Sequence, residues 1–269
     1  MSTQAEEIVN NYIIRDEEPL APSFDKAYAV ASSLAKKIHN VTYTDSMSKT
    51  DALLRNYYLS TASKKLYTSF MSIDLRNFTM LSHERSTDEI SRLITSFSYS
   101  ISNLVSACGG HVLKYVGDAV LSFFPTREPS SSVKRALIAS ASISRFMNNA
   151  FLPEFKRLSL RTNYGIGVDF GESAIVKVGS ASSKLHYDLI GKPINVSVKL
   201  QSMALNGQIL ITERASTFYR GEGTFSPFSS YEKHPSGISG ALLKAKNLIF
   251  RKERPDNILS FSPPSYTKE

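Results

Sequence analysis

Apolar residues recur along this chain with two different periods, and the change from one to the other divides it. Phe24, Tyr28, Ala31, Leu34, Ala35 and Ile38 are spaced by about three and four residues, the period of an amphipathic helix. A second helical stretch, Asp51 to Leu66, carries Leu53, Leu54, Tyr57 and Tyr58. From Tyr67 to Ile73 the run is short and apolar, which predicts a strand ending at Asp74. Ser86-Thr87-Asp88-Glu89 has the capping-box pattern, so Glu89 can reach back to the Ser86 amide and open a helix. Ile90, Leu93, Ile94, Phe97, Ile101, Leu104 and Val105 mark its apolar face, and Gly109-Gly110 stop it.

The period then returns to that of strands. His111–Val116 and Ala119–Phe124 flank Gly117-Asp118, which predicts a β-hairpin with Asp118 at its tip. Ser132–Phe151 predicts another helix. Leu158–Asp169 and Ser173–Val178 predict a second hairpin turning through Phe170-Gly171-Glu172. Lys184–Ile190 reads as a strand, Pro193 suits the first turn of a helix running to about Met203, and Gln208–Ile211 reads as a strand. The order is strand, helix, strand, strand, helix, strand, with additions: an α+β chain of ferredoxin-like βαββαβ arrangement. Residues 220–241, rich in Ser, Gly and Pro, read as a loop, and another strand is expected near the C-terminus. The divisions expected are an arm and helical extension over 1–65, a main domain over 66–262 and a tail over 263–269.

Composition narrows the setting. The 269 residues are 42% apolar and 21% charged, which is ordinary for a globular chain. The single cysteine, Cys108, cannot close an internal disulfide or build a zinc cluster, so a reducing, cytoplasmic location is expected. Glu6, Glu7, Glu17 and Glu18 give the N-terminus the wrong sign for a secretory leader. No apolar run approaches the roughly 18–20 residues of a membrane span. A net charge of +8 favours anionic partners. Nucleic acid is not expected, because no zinc finger, basic zipper or RNA-binding aromatic motif is present. Phosphate binding in a cleft would use only a few of these charges.

Asp74 ends the first strand and Asp118 sits on the neighbouring hairpin tip, so the fold can bring the two carboxylates together. Paired hard oxygen ligands suit Mg²⁺ or Mn²⁺ completed by substrate phosphates. Aspartate in such positions also serves ordinary turns. The surrounding residues weigh for the metal. Ser72-Ile73-Asp74-Leu75-Arg76-Asn77-Phe78-Thr79-Met80-Leu81-Ser82 resembles the first metal motif of the class III adenylate and guanylate cyclases, F-x-D-[IL]-x-G-F-T-x-[LM]-S. Gly110-His111-Val112-Leu113-Lys114-Tyr115-Val116-Gly117-Asp118-Ala119 resembles their G-x-x-x-K-x-x-G-D-x motif. Tyr187–Leu200 resembles their Y-D-x-x-G-x-x-V-N-x-A-x-R-L segment. All three stand in family order over about Leu66 to Phe218.

The resemblance implies a palm-type cyclase core with additional strands and an N-terminal helical extension. It implies that Asp74 and Asp118, with the Leu75 carbonyl, hold two divalent ions, Mg²⁺ or Mn²⁺. Asn77, Phe78 and Thr79 would offer backbone amides to the triphosphate. Lys114 and Asp188 would read the base, Asn195 would orient the ribose, and Lys199 would take the place of an arginine that stabilises the transition state. Lys244 or Lys246 lies where the family has a triphosphate-binding lysine. The implied assembly is a head-to-tail homodimer, with the aspartates of one chain facing the base readers of the other.

The implied substrate is ATP. Adenine donates from its N6 amine and accepts at N1, which matches an accepting Asp188 and a donating Lys114. Guanine reverses both contacts. Two positions depart from the family pattern. Asn77 replaces a glycine, and asparagine tolerates positive φ better than most residues. Lys199 replaces arginine with a point charge lacking the planar fork. A lysine there is also found among pyrimidine cyclases of antiphage systems. The alternatives are therefore a cyclase acting on CTP or UTP, and a catalytically inactive nucleotide-binding module. Singly, Lys114 reads as a solvated edge charge, Asp188 as a turn residue, and Asn195 and Lys199 as helix-surface residues; only the joint pattern makes a site.

Overall fold

The computed structural model describes residues 23–37, 49–60, 64–157, 162–179, 185–219, 228–230 and 258–261. Two helices come first, α1 (Phe24–Ala35) and α2 (Lys49–Ser60). The central strand β1 (Lys65–Arg76) is followed by a short α3 (Phe78–Glu84) and the long α4 (Thr87–Ala107). The hairpin β2 (His111–Val116) and β3 (Ala119–Pro125) leads into α5 (Pro129–Phe146), one π-helical turn (Met147–Phe151) and α6 (Leu152–Arg157). Then come β4 (Asn163–Val178), β5 (His186–Ile190), α7 (Lys192–Met203), β6 (Ile209–Thr212), α8 (Glu213–Ser216), β7 (Phe228–Ser230) and β8 (Ile258–Phe261).

The strands form one mostly antiparallel sheet in the order β2-β3-β1-β4-β6-β8-β7, with β5 paired to the far end of β4. The β4–β6 pair is parallel. Side chains alternate between the two faces of β1, as the period of a strand requires. Met71, Ile73 and Leu75 join one cluster with residues of α1, α4, α5 and the π turn, among them Phe97, Ile101, Leu137 and Phe151. Leu66 and Phe70 join the other with Leu121, Phe123, Ile175 and Leu189, covered by Leu54 and Tyr57 of α2 and Ile194 of α7. The first cluster is the main core. The second lies beneath the candidate site.

The βαββαβ order and the α+β class hold: β1, α4, β2, β3, α5 and β4 follow one another as expected. The capping box is present, with the Glu89 amide donating to Ser86 Oγ at 3.3 Å and the Ser86 amide donating to Glu89 Oε2 at 3.1 Å. The expected hairpin turning at Phe170-Gly171-Glu172 is not there. Those residues continue β4, opposite Ser69, Thr68 and Tyr67 of β1. The twelve-residue β1 supplies partners past the glycine, so the backbone needs no turn. Short α3 was not expected after Asp74. Lys244 and Lys246, residues 1–22, the expected tail over 263–269, and the expected loop apart from Phe228–Ser230 lie outside the described residues.

Candidate active site

Asp74 lies opposite Ala119 of β3, so it stands beside the β2–β3 turn that carries Asp118. Gly117 supplies the positive φ of 61° that this tight turn requires. Asp74 is near enough to oppose the ionisation of Asp118. Asp118 is pushed up to about 7, first by burial and then by Asp74 beside it, against the pull of its own backbone amide and Arg76. Asp74 Oδ2 accepts from Gln201 Nε2 at 3.1 Å. Asp74 Oδ1 is buried with no hydrogen-bond partner. A buried carboxyl oxygen left without a protein donor, beside a second carboxyl, would suit coordination, and the pair fits a hard divalent cation. Among the described residues no group of three or more His, Cys, Asp or Glu side chains gathers, so phosphate and water would have to complete the shell.

Gln201 reaches Asp74 because α7 lies directly on β4. A Cβ at Gly167 would run into the Ser197 carbonyl and the Gln201 amide, so glycine permits this approach. Arg76 completes the support. Its Nη2 donates to the Gln201 carbonyl and, at 2.9 Å, to the Ala204 carbonyl at the end of α7. Burial weakens its hold on its proton, while the charges of Asp74 and Asp118 strengthen it.

Asn77 follows as the N-cap of α3, with φ 60° and ψ 20°. It is the one non-glycine residue at positive φ among those described. The position thus demands what glycine supplies, and asparagine meets the demand at small cost. Phe78 and Thr79 begin α3, so their amides belong to the unsatisfied first turn.

Lys114 and Asp188 meet within one chain. Lys114 Nζ donates to Asp188 Oδ2 at 2.5 Å, and Asp188 Oδ1 accepts the Leu189 amide at 2.8 Å. Their strands are not neighbours, since β3, β1 and β4 stand between β2 and β5. A β-bulge makes the meeting possible. The β2–β3 register runs His111–Phe123 and Val112–Ser122, then skips Leu113 to Lys114–Leu121. Were β2 paired regularly through Leu113, Lys114 would fall on the face opposite His111. With it, Lys114 shares the face of Leu121 and Phe123, over which α2 and α7 lie.

Asn195 and Lys199 occupy the outer face of α7, one turn apart and exposed, with Val198 exposed between them. Neither bonds to Asp74 or Asp118 among the described residues. The structure therefore groups Asp74 with Asp118 and Lys114 with Asp188, and leaves Asn195 and Lys199 facing outward.

Residues 62–240, more than half the chain, match the family described as the adenylate and guanylate cyclase catalytic domain. The chain belongs to the class III nucleotidyl cyclases. It is 24% identical over 162 residues to an adenylate cyclase of Anabaena cylindrica, covering 60% of this chain and 32% of that one. It is 24% identical over 149 residues to a uridylate cyclase of Rhodovulum sp., covering 54% of this chain and 62% of that one. The chain thus spans less than two thirds of either relative. The crystal structure of the adenylyl cyclase CyaB from P. aeruginosa superposes with a TM-score of 0.62 at 18% identity, over 76% of this chain and 98% of that one, a likeness of fold.

Sequence reading of this cyclase missed Gln201. Its signal was present: Ile194, Ser197 and Gln201 recur at three and four residues on the buried side of α7, where an amide has to find a partner. No described helix is long and apolar enough to cross a membrane.

Proposed function

We propose that the chain is an adenylate cyclase, converting ATP to 3′,5′-cyclic AMP and pyrophosphate at sites shared between the two subunits of a homodimer. The observation that carries this reading is the Lys114–Asp188 pair, a donor and an acceptor side by side at 2.5 Å. Adenine would divide the pair, giving its N6 hydrogen to Asp188 and accepting at N1 from Lys114. Guanine would meet a donor with a donor and an acceptor with an acceptor.

The metal half rests on Asp74, Asp118 and the Leu75 carbonyl. Two Mg²⁺ or Mn²⁺ ions held there would activate the ribose 3′-oxygen and neutralise charge on the leaving pyrophosphate. The remaining work belongs to side chains and amides of the chain. The Asn77–Thr79 turn cradles the triphosphate, Asn195 orients the ribose, and Lys199 balances charge at the α-phosphate. Lys244 or Lys246 would meet the triphosphate from the C-terminal region. The outward direction of Asn195 and Lys199, on a face that also exposes Val198, supports their service to the aspartates of a partner subunit.

Incubating the purified protein with ATP, GTP, CTP and UTP in Mn²⁺ tests the reading. Cyclic AMP should dominate. Equal or faster turnover of CTP or UTP would overturn the adenine assignment in favour of a pyrimidine cyclase, which Lys199 and the Rhodovulum relative favour as the second reading. Nucleotide binding without turnover of any of the four would leave a catalytically inactive module.

A further inference from the structure

We propose that the first turn of α2 is a clamp on the base-reading pair, and that Thr50 and Asp51 are positioning residues for nucleotide selectivity. The inference rests on the reading of Lys114 and Asp188 as base readers. Helix α2 ends at Ser60, just ahead of the stretch that matches the cyclase family. Two adjacent side chains at its start nevertheless reach into both base-reading strands. Thr50 Oγ1 donates to the Val112 carbonyl at 2.8 Å, at the bulge and two residues before Lys114. Asp51 Oδ1 accepts the Tyr187 amide at 3.0 Å, one residue before Asp188.

A pair assembled from strands with three others between them needs something to fix its span. The backbone ladder does not tie β2 to β5 directly. The Thr50 and Asp51 bonds do, through one rigid turn of helix. The helix is itself fixed. Leu54 is fully buried, Tyr57 hydroxyl donates to the Lys65 carbonyl at 3.2 Å, and the Tyr58 and Tyr187 rings stand 5.2 Å apart. Tyr187 is thus held twice by α2, at its amide and at its ring. A donor–acceptor pair discriminates between bases only if its spacing is held, because a slack pair can shift to suit the wrong edge.

Full-length Thr50→Val, Asp51→Ala and Asp51→Asn proteins test this against wild type. Asp51→Ala is expected to raise KM for ATP about tenfold, the loss of one charge-assisted hydrogen bond, with kcat within about twofold. The preference for ATP over the other three triphosphates should fall by a similar factor. Thr50→Val, nearly isosteric, should move selectivity in the same direction by a smaller factor. Asp51→Asn keeps the accepting Oδ1 and should restore most of the selectivity. Amide exchange at Tyr187 should quicken in Asp51→Ala. Unchanged KM and selectivity in Thr50→Val and Asp51→Ala would overturn the clamp, and Thr50→Val alone decides it if Asp51→Ala does not fold. Should the wild type turn over no triphosphate, the catalytic reading is what fails. The clamp then stands or falls on Tyr187 exchange, where equal rates in wild type and Asp51→Asn, both slower than in Thr50→Val, support it, and equal rates in all variants refute it.

Discussion

The two acidic groups of this cyclase are built in opposite ways. Asp74 and Asp118 lie together as two carboxyls, with one buried oxygen unpartnered and one group pushed up to about 7. Asp188 is fully engaged, with Lys114 on one oxygen and the Leu189 amide on the other. The first site is electrostatically incomplete and gains by taking in a cation. The second already has a partner on each carboxylate oxygen, so a ligand would have to share or replace those contacts. On the proposed reading a metal would enter the first because it relieves repulsion, whereas a base would enter the second only if it replaces what it displaces. Incompleteness yields affinity, and completeness yields discrimination.

The most severe way to break this contrast is to remove the cation site. Asp74→Ala should lose activity on the order of 10³-fold or more, measured as product formation in Mn²⁺. Lys199→Ala should also be nearly inactive. Mixing the two variants should restore about a quarter of wild-type activity, since random pairing leaves about half the dimers with one intact site of two. If differently tagged chains co-purify and activity still stays at the level of the single variants, the shared-site arrangement is wrong. Lys114→Ala should cut kcat/KM for ATP roughly 10²-fold, by leaving Asp188 without its donor, while leaving Mn²⁺ affinity untouched. Gln201→Ala frees Asp74 Oδ2 without changing any charge, and should weaken Mn²⁺ binding by roughly tenfold, read by titration calorimetry.

The smallest expected effect is on stability. A carboxyl whose folded pKa is raised binds more protons folded than unfolded between the two values. The metal-free protein should therefore lose stability as pH rises from about 4, where an unfolded aspartate ionises, to about 7, where Asp118 does. Saturating Mn²⁺ should reverse the slope, because binding requires the ionised form. Thermal unfolding at several pH values, with and without Mn²⁺, checks both signs. An unchanged slope in Asp118→Asn would show that another group is responsible.

Local pattern carried most of the fold. The capping box at Ser86, the Gly117-Asp118 turn and the amphipathic face of α4 are each decided by residues a few positions apart, and each formed as its neighbours dictate. The failure at Phe170-Gly171-Glu172 has a different cause. A glycine between apolar runs signals a turn locally, but a long β1 lying alongside provides partners that keep the strand going. The site divides in the same way. Asp74, Asp118 and Asn77 stand in recognisable motifs. Gln201, Thr50 and Asp51 act across separations of 127, 62 and 136 residues, which no local pattern encodes. What remained hidden was the set of contacts that tertiary packing alone brings about.

The extra residue in β2 has one more implication. Because Leu113 sets the parity of everything after it in that strand, it acts as a reading frame for the edge of the sheet. A point substitution at Lys114 changes one contact, whereas a ladder without the bulge, in which Leu113 paired with Leu121, would place Lys114 opposite Val120, on the face of α4, and turn Tyr115, which now bonds Ser102 of α4 at 2.7 Å, toward the other face. The bulge, more than any one side chain of β2, is therefore what this candidate site can least afford to lose.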